Sequence, residues 1–182
     1  MTIFDYVCKV IKHKKYAFLV FKDAGMIYKG IMHDMDRLNP VHIILSSRYF
    51  KHYMDFADGN YFKNNLLANN NYYTETFDHR IFSPHHWEYW ANMQNSNPPD
   101  SIPICYLKEM ICDWIACMKE TYGSRYVRAV AYHEIKLRIS NNDIILHKPT
   151  AAKLLNILKY YKENENMSLK EIFELYTADN ID

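Results

Sequence analysis

Apolar residues recur at three- and four-residue intervals along most of the chain, so helices are the expected element throughout. Ile3, Tyr6, Val7, Val10, Ala17, Phe18 and Phe21 form one such series, predicting a helix over about 2–23 that stops at Asp23-Ala24-Gly25. MIYKGIMHDMDRL predicts a second helix over about 26–38, halted by Asn39-Pro40. A third is expected over 41–57. The Asn-rich stretch 58–71 breaks the pattern and reads as a long loop of the kind that forms lids or binding segments. A helix near 72–82 follows, and Ser83-Pro84 has the character of an N-cap and first-turn residue opening another, shorter one. Beyond a loop at 94–103, a strongly apolar helix spans about 104–122 and closes at Gly123, followed by helices near 124–139, 150–163 and 168–176. The expectation is an all-α, single compact domain over 1–182, its core at about 2–160, with one short strand pair around 137–147 as an optional departure.

Composition narrows the function classes. The 182 residues are 49% hydrophobic and 24% charged, the balance of a soluble globular chain. Four glycines and six prolines are too few for a turn-dense β-sandwich, and no GxGxxG or GxxxxGK[ST] run is present, which removes the dinucleotide-fold and P-loop readings. A formal charge of +1 leaves no electrostatic footprint for bulk nucleic-acid binding. Cys8, Cys105, Cys112 and Cys117 lack CxxC spacing and are expected to be reduced thiols. The first residues are interrupted by Asp5, Lys9 and Lys12, unlike a signal peptide, and no apolar run is long enough to span a membrane. The expected location is the cytoplasm, or the host cytoplasm if the gene belongs to a phage or virus.

Nine histidines change the picture. The dipeptide His33-Asp34 is uninformative alone, because the numbers of His and Asp make a chance pair about as expected as not. Its placement carries more. On the continuous helix over 26–38, Asp34 shares a face with Ile27, Gly30, Ile31 and Leu38, so its carboxylate is expected to point to the core. His13 lies on the stripe of Tyr6, Val10 and Ala17, and Asp113 has Met110 and Cys117 as helical neighbours. Three ionisable groups aimed inward from three helices are costly alone and cheap around a cation.

The order His, His-Asp, further His, then Asp, all on helices, resembles the HD superfamily of metal-dependent phosphohydrolases. It maps here as His13, His33-Asp34 and Asp113. More narrowly, HDMDRL, FDHRIFSPHHWEYW, YLKEMICDWIA and IILHKPT are similar to a family of uncharacterised bacterial and phage proteins whose pattern runs HDLSKF, NPHHWEYW, REM-x-x-DW and LHPxT. This resemblance covers about 13–155. It implies that His13, His33, Asp34 and Asp113 hold a divalent metal. The mixed imidazole–carboxylate set suits Mn, Fe, Co or Ni, with Mg or Zn also accommodated. His79, His85 and His86 are then ligands of a second ion or donors to phosphate, and a metal-activated water attacks phosphorus while Arg37 stabilises its oxygens. Asp78 and Glu109 are expected to orient imidazoles.

Two departures bear on that site. Asp36-Arg37 replaces the family's Ser-Lys, and Phe82-Ser83 replaces its Arg-Asn. If Pro84 opens a helix, His85 and His86 diverge by about 100° and one of them, His85, faces the metal. His42, His52 and His133 read as structural, and the Trp87, Tyr89, Trp90 run as packing. The expected substrate is a small phosphate ester, foremost a nucleotide. The alternative is a non-catalytic, metal-stabilised module that binds a protein or nucleic-acid partner.

Overall fold

The computed structural model describes residues 2–44, 79–80, 82–91 and 99–178. The protein is all-α, and no strand occurs among the described residues. Helix α1, Ile3–Asp23, opens with a reciprocal cap: Asp5 N donates to Thr2 Oγ1 at 3.1 Å and Thr2 N donates to Asp5 Oδ2 at 3.0 Å. Tyr6, Val10, Ala17, Val20 and Phe21 form its buried stripe, and Gly25 at φ 72° lets the chain turn sharply behind it. Helix α2, Ile27–Met32, lies against α1 so closely that a Cβ on Gly30 would come within 2.7 Å of Phe21 Cβ.

The expected helix over 26–38 is therefore two pieces. Helix α2 stops at Met32, His33 and Asp34 form a turn, and a 3₁₀ turn follows at Met35–Leu38. Asp34 takes the left-handed conformation, φ 53° and ψ 29°, which no continuous helix accommodates. Its supposed face-mates Ile27 and Ile31 are about half exposed. The carboxylate reaches the interior because the helix breaks, not because it continues. Residues 40–44 are helical again. Most of the expected helix at 41–57, the loop at 58–71 and most of the helix at 72–82 lie outside the described residues.

The helix expected to begin at Pro84 begins three residues later. Helix α3 is Trp87–Trp90, with His86 in extended conformation as its cap. Helix α4, Ile104–Tyr122, ends at Gly123 as its sequence indicates, and a 3₁₀ turn at Gly123–Arg125 leads into α5, Arg128–Ser140. Helices α6, Lys148–Glu163, and α7, Leu169–Ala178, complete the described chain. The strand pair anticipated at 137–147 is absent: α5 runs to Ser140 and a turn follows.

Leu107, Ile111 and Ile115 of α4 meet Leu154, Ile157 and Leu158 of α6 and Ile172 of α7 in one continuous apolar cluster. Polar ties close its ends. Arg128 donates to the carbonyls of Tyr161, Asn164 and Met167, satisfying the C-terminal end of α6. Leu169 N donates to Asp23 Oδ2, joining the start of α7 to the end of α1. With α1 packed along α4, His13 and Asp113, each near the middle of its helix, face the broken turn at His33-Asp34. No helix of the described residues is long and apolar enough to cross a membrane.

Candidate metal centre

Helix α1 presents His13, the broken turn presents His33 and Asp34, and α4 presents Asp113. Asp113 Oδ1 lies 3.1 Å from His13 Nε2 and 3.1 Å from His33 Nε2. Asp34 is next to both, with His33 Nε2 3.7 Å from its Oδ1 and His13 Nε2 4.0 Å from its Oδ2. On its other side, Asp34 Oδ1 lies 3.0 Å from His79 Nε2 and 3.4 Å from His85 Nε2. His86 completes this side, its ring centroid 4.3 Å from that of His85 and 5.0 Å from that of His79.

Two main candidate ligand groups result. His13, His33 and Asp113 form one, Asp34, His79, His85 and His86 form the other, and a third set, His33, His85 and Glu109, draws on both. In each, the candidate donor atoms lie within 4.8 Å of one another. A metal with bonds of about 2.1 Å spans about 4.2 Å between opposite ligands, so the groups need close by only a few tenths of an ångström. The donor set is mixed nitrogen and oxygen, with no sulfur required, which matches a divalent first-row ion.

Unsatisfied atoms point the same way. Asp34 Oδ1 and the Nε2 atoms of His79, His85 and His86 are buried without an aligned hydrogen bond, although His79 and His85 approach Asp34 closely. Buried polar atoms are rarely left so, since each costs about 1–3 kcal/mol. Here four of them converge on one point, the signature of donors arranged for a cation. The residues fit a metal.

The opposite edges of the rings face carboxylates, and that of His79 is hydrogen-bonded to one. His79 Nδ1 lies 2.6 Å from Asp36 Oδ2, His13 Nδ1 3.4 Å from Glu120 Oε2, and His85 Nδ1 3.9 Å from Glu109 Oε1. Glu109 is itself paired with Lys29. Such outer carboxylates fix which ring nitrogen faces inward and make it a stronger donor. Asp36, a departure from the family pattern, thus acts on a histidine and does not occupy an anion site. Asp78 lies outside the described residues.

The electrostatics follow from the pairing. Burial by itself would raise Asp34, but the charges of Arg37 and His33 and the contacts from His79 and His85 hold it well below the usual carboxylate range. Burial likewise opposes ionisation of Asp113, and the bonds from His13 and His33 outweigh it. Burial pushes His13 and His33 down, while Asp113 on the first, and Asp34 with Asp113 on the second, raise both above the ordinary imidazole value. His79 is raised in the same way by Asp34 and Asp36. His86 differs: burial and then the charge of His85 lower it, so its ring is neutral and available to a metal.

All the residues singled out by the sequence as ligands, His13, His33, Asp34, His79 and Asp113, meet here. Arg37 is also present, Nε 2.9 Å from Asp34 Oδ2. The divergence expected of His85 and His86 does not occur. Pro84 and His85 lie in a turn before α3, so helical spacing does not apply and both rings face the centre. His86 is the more buried residue of the two, and its ring lies against those of His79 and His85. His133 is exposed and His147 caps α6, neither in a ligand group. His52 lies outside the described residues. Sequence reasoning passed over Lys14, Glu120 and the pairing of Glu88 with Arg80. Glu88 is buried and paired with Arg80 Nη1 at 3.2 Å, tying the segment of His79 to that of His85-His86. Only the i+7 spacing of Glu120 from Asp113 could have flagged any of them.

The chain matches a family model over residues 2–160, a span that contains every residue of both ligand groups. No curated protein and no solved structure matches it. The chain belongs to DUF5662, a family of unknown function.

Proposed function

We propose that this member of DUF5662 is a divalent-metal-dependent phosphohydrolase of HD type, acting on a nucleotide or another small phosphate ester. One observation carries the reading: Asp34 stands between two groups of buried ligand atoms, four of which have no aligned hydrogen bond. His13, His33 and Asp113 would hold one ion and Asp34, His79, His85 and His86 a second, with Asp34 also facing His13 and His33 of the first. Bound there, Mn, Fe, Co or Ni supplies a Lewis acid and lowers the pKa of a water nucleophile.

The protein's own groups do the rest. Asp36, Glu120 and Glu109 keep the imidazoles turned inward. Arg37 brings a planar cation beside Asp34, suited to bidentate grip of phosphoryl oxygens as charge develops on them. The near-neutral chain favours a small ester over a polynucleotide. The site of action is the cytoplasm.

Elemental analysis of the purified protein, followed by a phosphate-release screen across nucleotides with each of several divalent metals, tests the proposal. Bound metal with turnover supports it. Bound metal without turnover of any ester favours the non-catalytic, metal-stabilised module instead.

A further inference from the structure

The turn that joins the two ligand groups is held from outside them. Helix α2 ends at Met32 and leaves carbonyls without intrahelical partners, and Asp34 then adopts a left-handed conformation unusual for a residue with a side chain. Lys14, on α1 and adjacent to His13, reaches across to this turn. Its Nζ donates to His33 O at 2.7 Å and to Ile31 O at 3.0 Å, and touches Met35 Sδ at 3.3 Å. The three contacts lie before and after Asp34 along the chain. No other side chain binds the backbone carbonyls of residues 31–35 among the hydrogen bonds of the described residues.

We propose that Lys14 is the positioning residue of the centre: its ammonium locks the turn at Asp34 and so sets the affinity of both ligand groups together. The inference rests on the metal reading above. The turn gives His33 to one group and Asp34 to the other, so a slackened turn displaces one donor from each. A ligand such as His79 belongs to one group alone. Loss of Lys14 therefore has a signature that loss of a ligand confined to one group lacks.

The experiment compares Lys14→Met, which keeps the stem and removes the donors, with Lys14→Arg, which returns donors in another shape, and with His79→Ala. Lys14→Gln replaces the Met variant if that one does not fold. Calorimetric titration of each metal-free protein with Mn²⁺ and Co²⁺, well below its unfolding temperature, reads the binding steps. Hydrogen exchange of the metal-free proteins reads the turn through the amides of His33, which donates to Lys29 O, and of Arg37, which donates to Asp34 O.

Lys14→Met is expected to weaken both binding steps by about tenfold to a hundredfold, the scale for groups that orient ligands. It is also expected to speed exchange at both amides, with Lys14→Arg recovering part of each effect. His79→Ala weakens one step. Wild-type affinity in Lys14→Met, or weakening of one step only, overturns the proposal. If the wild type binds neither ion, the metal reading fails by itself. The exchange data then decide the anchoring of the turn, and unchanged exchange overturns that as well.

Discussion

Helix α4 belongs to two different worlds. Along one face, Leu107, Ile111 and Ile115 are wholly buried against Leu154, Ile157 and Leu158. Along the other, Asp113 is almost as buried, yet it faces His13 and His33. Each large aliphatic side chain on the first face contributes about 1.5–3 kcal/mol through removal from water. On the second, Asp113 is paired with His13 and His33, and a buried polar atom without such partners would cost about 1–3 kcal/mol. The apolar half holds the fold in any medium. The polar half is tolerable without a metal through its internal ion pairs, and a cation held there would stabilise it. The apolar packing and the candidate metal centre thus lie on opposite faces of one helix.

Substitutions at the two faces should separate these roles. The largest effect is expected from Asp34→Asn, which keeps the shape and removes the charge that faces both ligand groups. Metal content should fall at both groups, and turnover of a phosphate ester by on the order of 10³-fold, equivalent to about 4 kcal/mol. Full metal content in this variant would show that Asp34 is not shared. Ile157→Ala, on the apolar side, should do the reverse. It removes a fully buried side chain and should cost about 2–5 kcal/mol of unfolding free energy in denaturant titrations. Metal stoichiometry, measured on the fraction still folded, should not change. A parallel loss of metal would join the two faces into a single unit.

The same contrast explains what could be read from the sequence. The apolar face was legible because packing repeats with the helical period: the span 104–122 for α4 and the break at Gly123 both follow from spacing and punctuation. The inward placement of His13 and Asp113 was legible for the same reason, as polar residues sitting on apolar stripes. Asp34 was found by a false route. Its burial comes from a left-handed turn, and no periodicity announces a broken helix when residues on both sides fit one. His85-His86 failed similarly, since the helix starts at Trp87 and not at Pro84. Lys14 and Asp36 were hidden because their partners lie 19 and 43 residues away, a relation that only the tertiary fold creates.

A smaller effect tests whether the outer carboxylates matter. Asp36→Asn replaces the acceptor that holds His79 Nδ1 with an amide that can still accept but carries no charge. Affinity for the ion of the group containing His79 should fall about tenfold. The His13, His33 and Asp113 group should be unaffected in the same titration. Equal weakening of the two would mean that Asp36 acts through Asp34 and not through His79.

The gentlest probe is pH, where each step changes little but the sign is diagnostic. In the metal-free protein His13, His33 and His79 are raised above 6.5: burial opposes this, and the facing carboxylates prevail. A raised folded value means stability that is present in full below about pH 6.5 and lost as pH climbs through the folded values. Metal-free protein in chelator should therefore melt at lower temperature at pH 8 than at pH 6.5. Asp34 and Asp113 are lowered, so their share is lost only as pH falls below 3.8 toward their folded values, outside this window. With Mn²⁺ present the imidazoles must be neutral to bind, so the ion competes with protons and its affinity increases with pH. At a hundredfold excess over Kd it adds about 2.7 kcal/mol, and that gain should grow across the same interval. The melting temperature is then expected to fall with pH in chelator, and the interval between the metal and chelator curves to widen. Ile157→Ala should lower both curves and leave their divergence intact. Parallel curves for the wild type would show that the ion displaces no protons from these rings, and the polar face of α4 would then be an ion-pair network and not a metal centre.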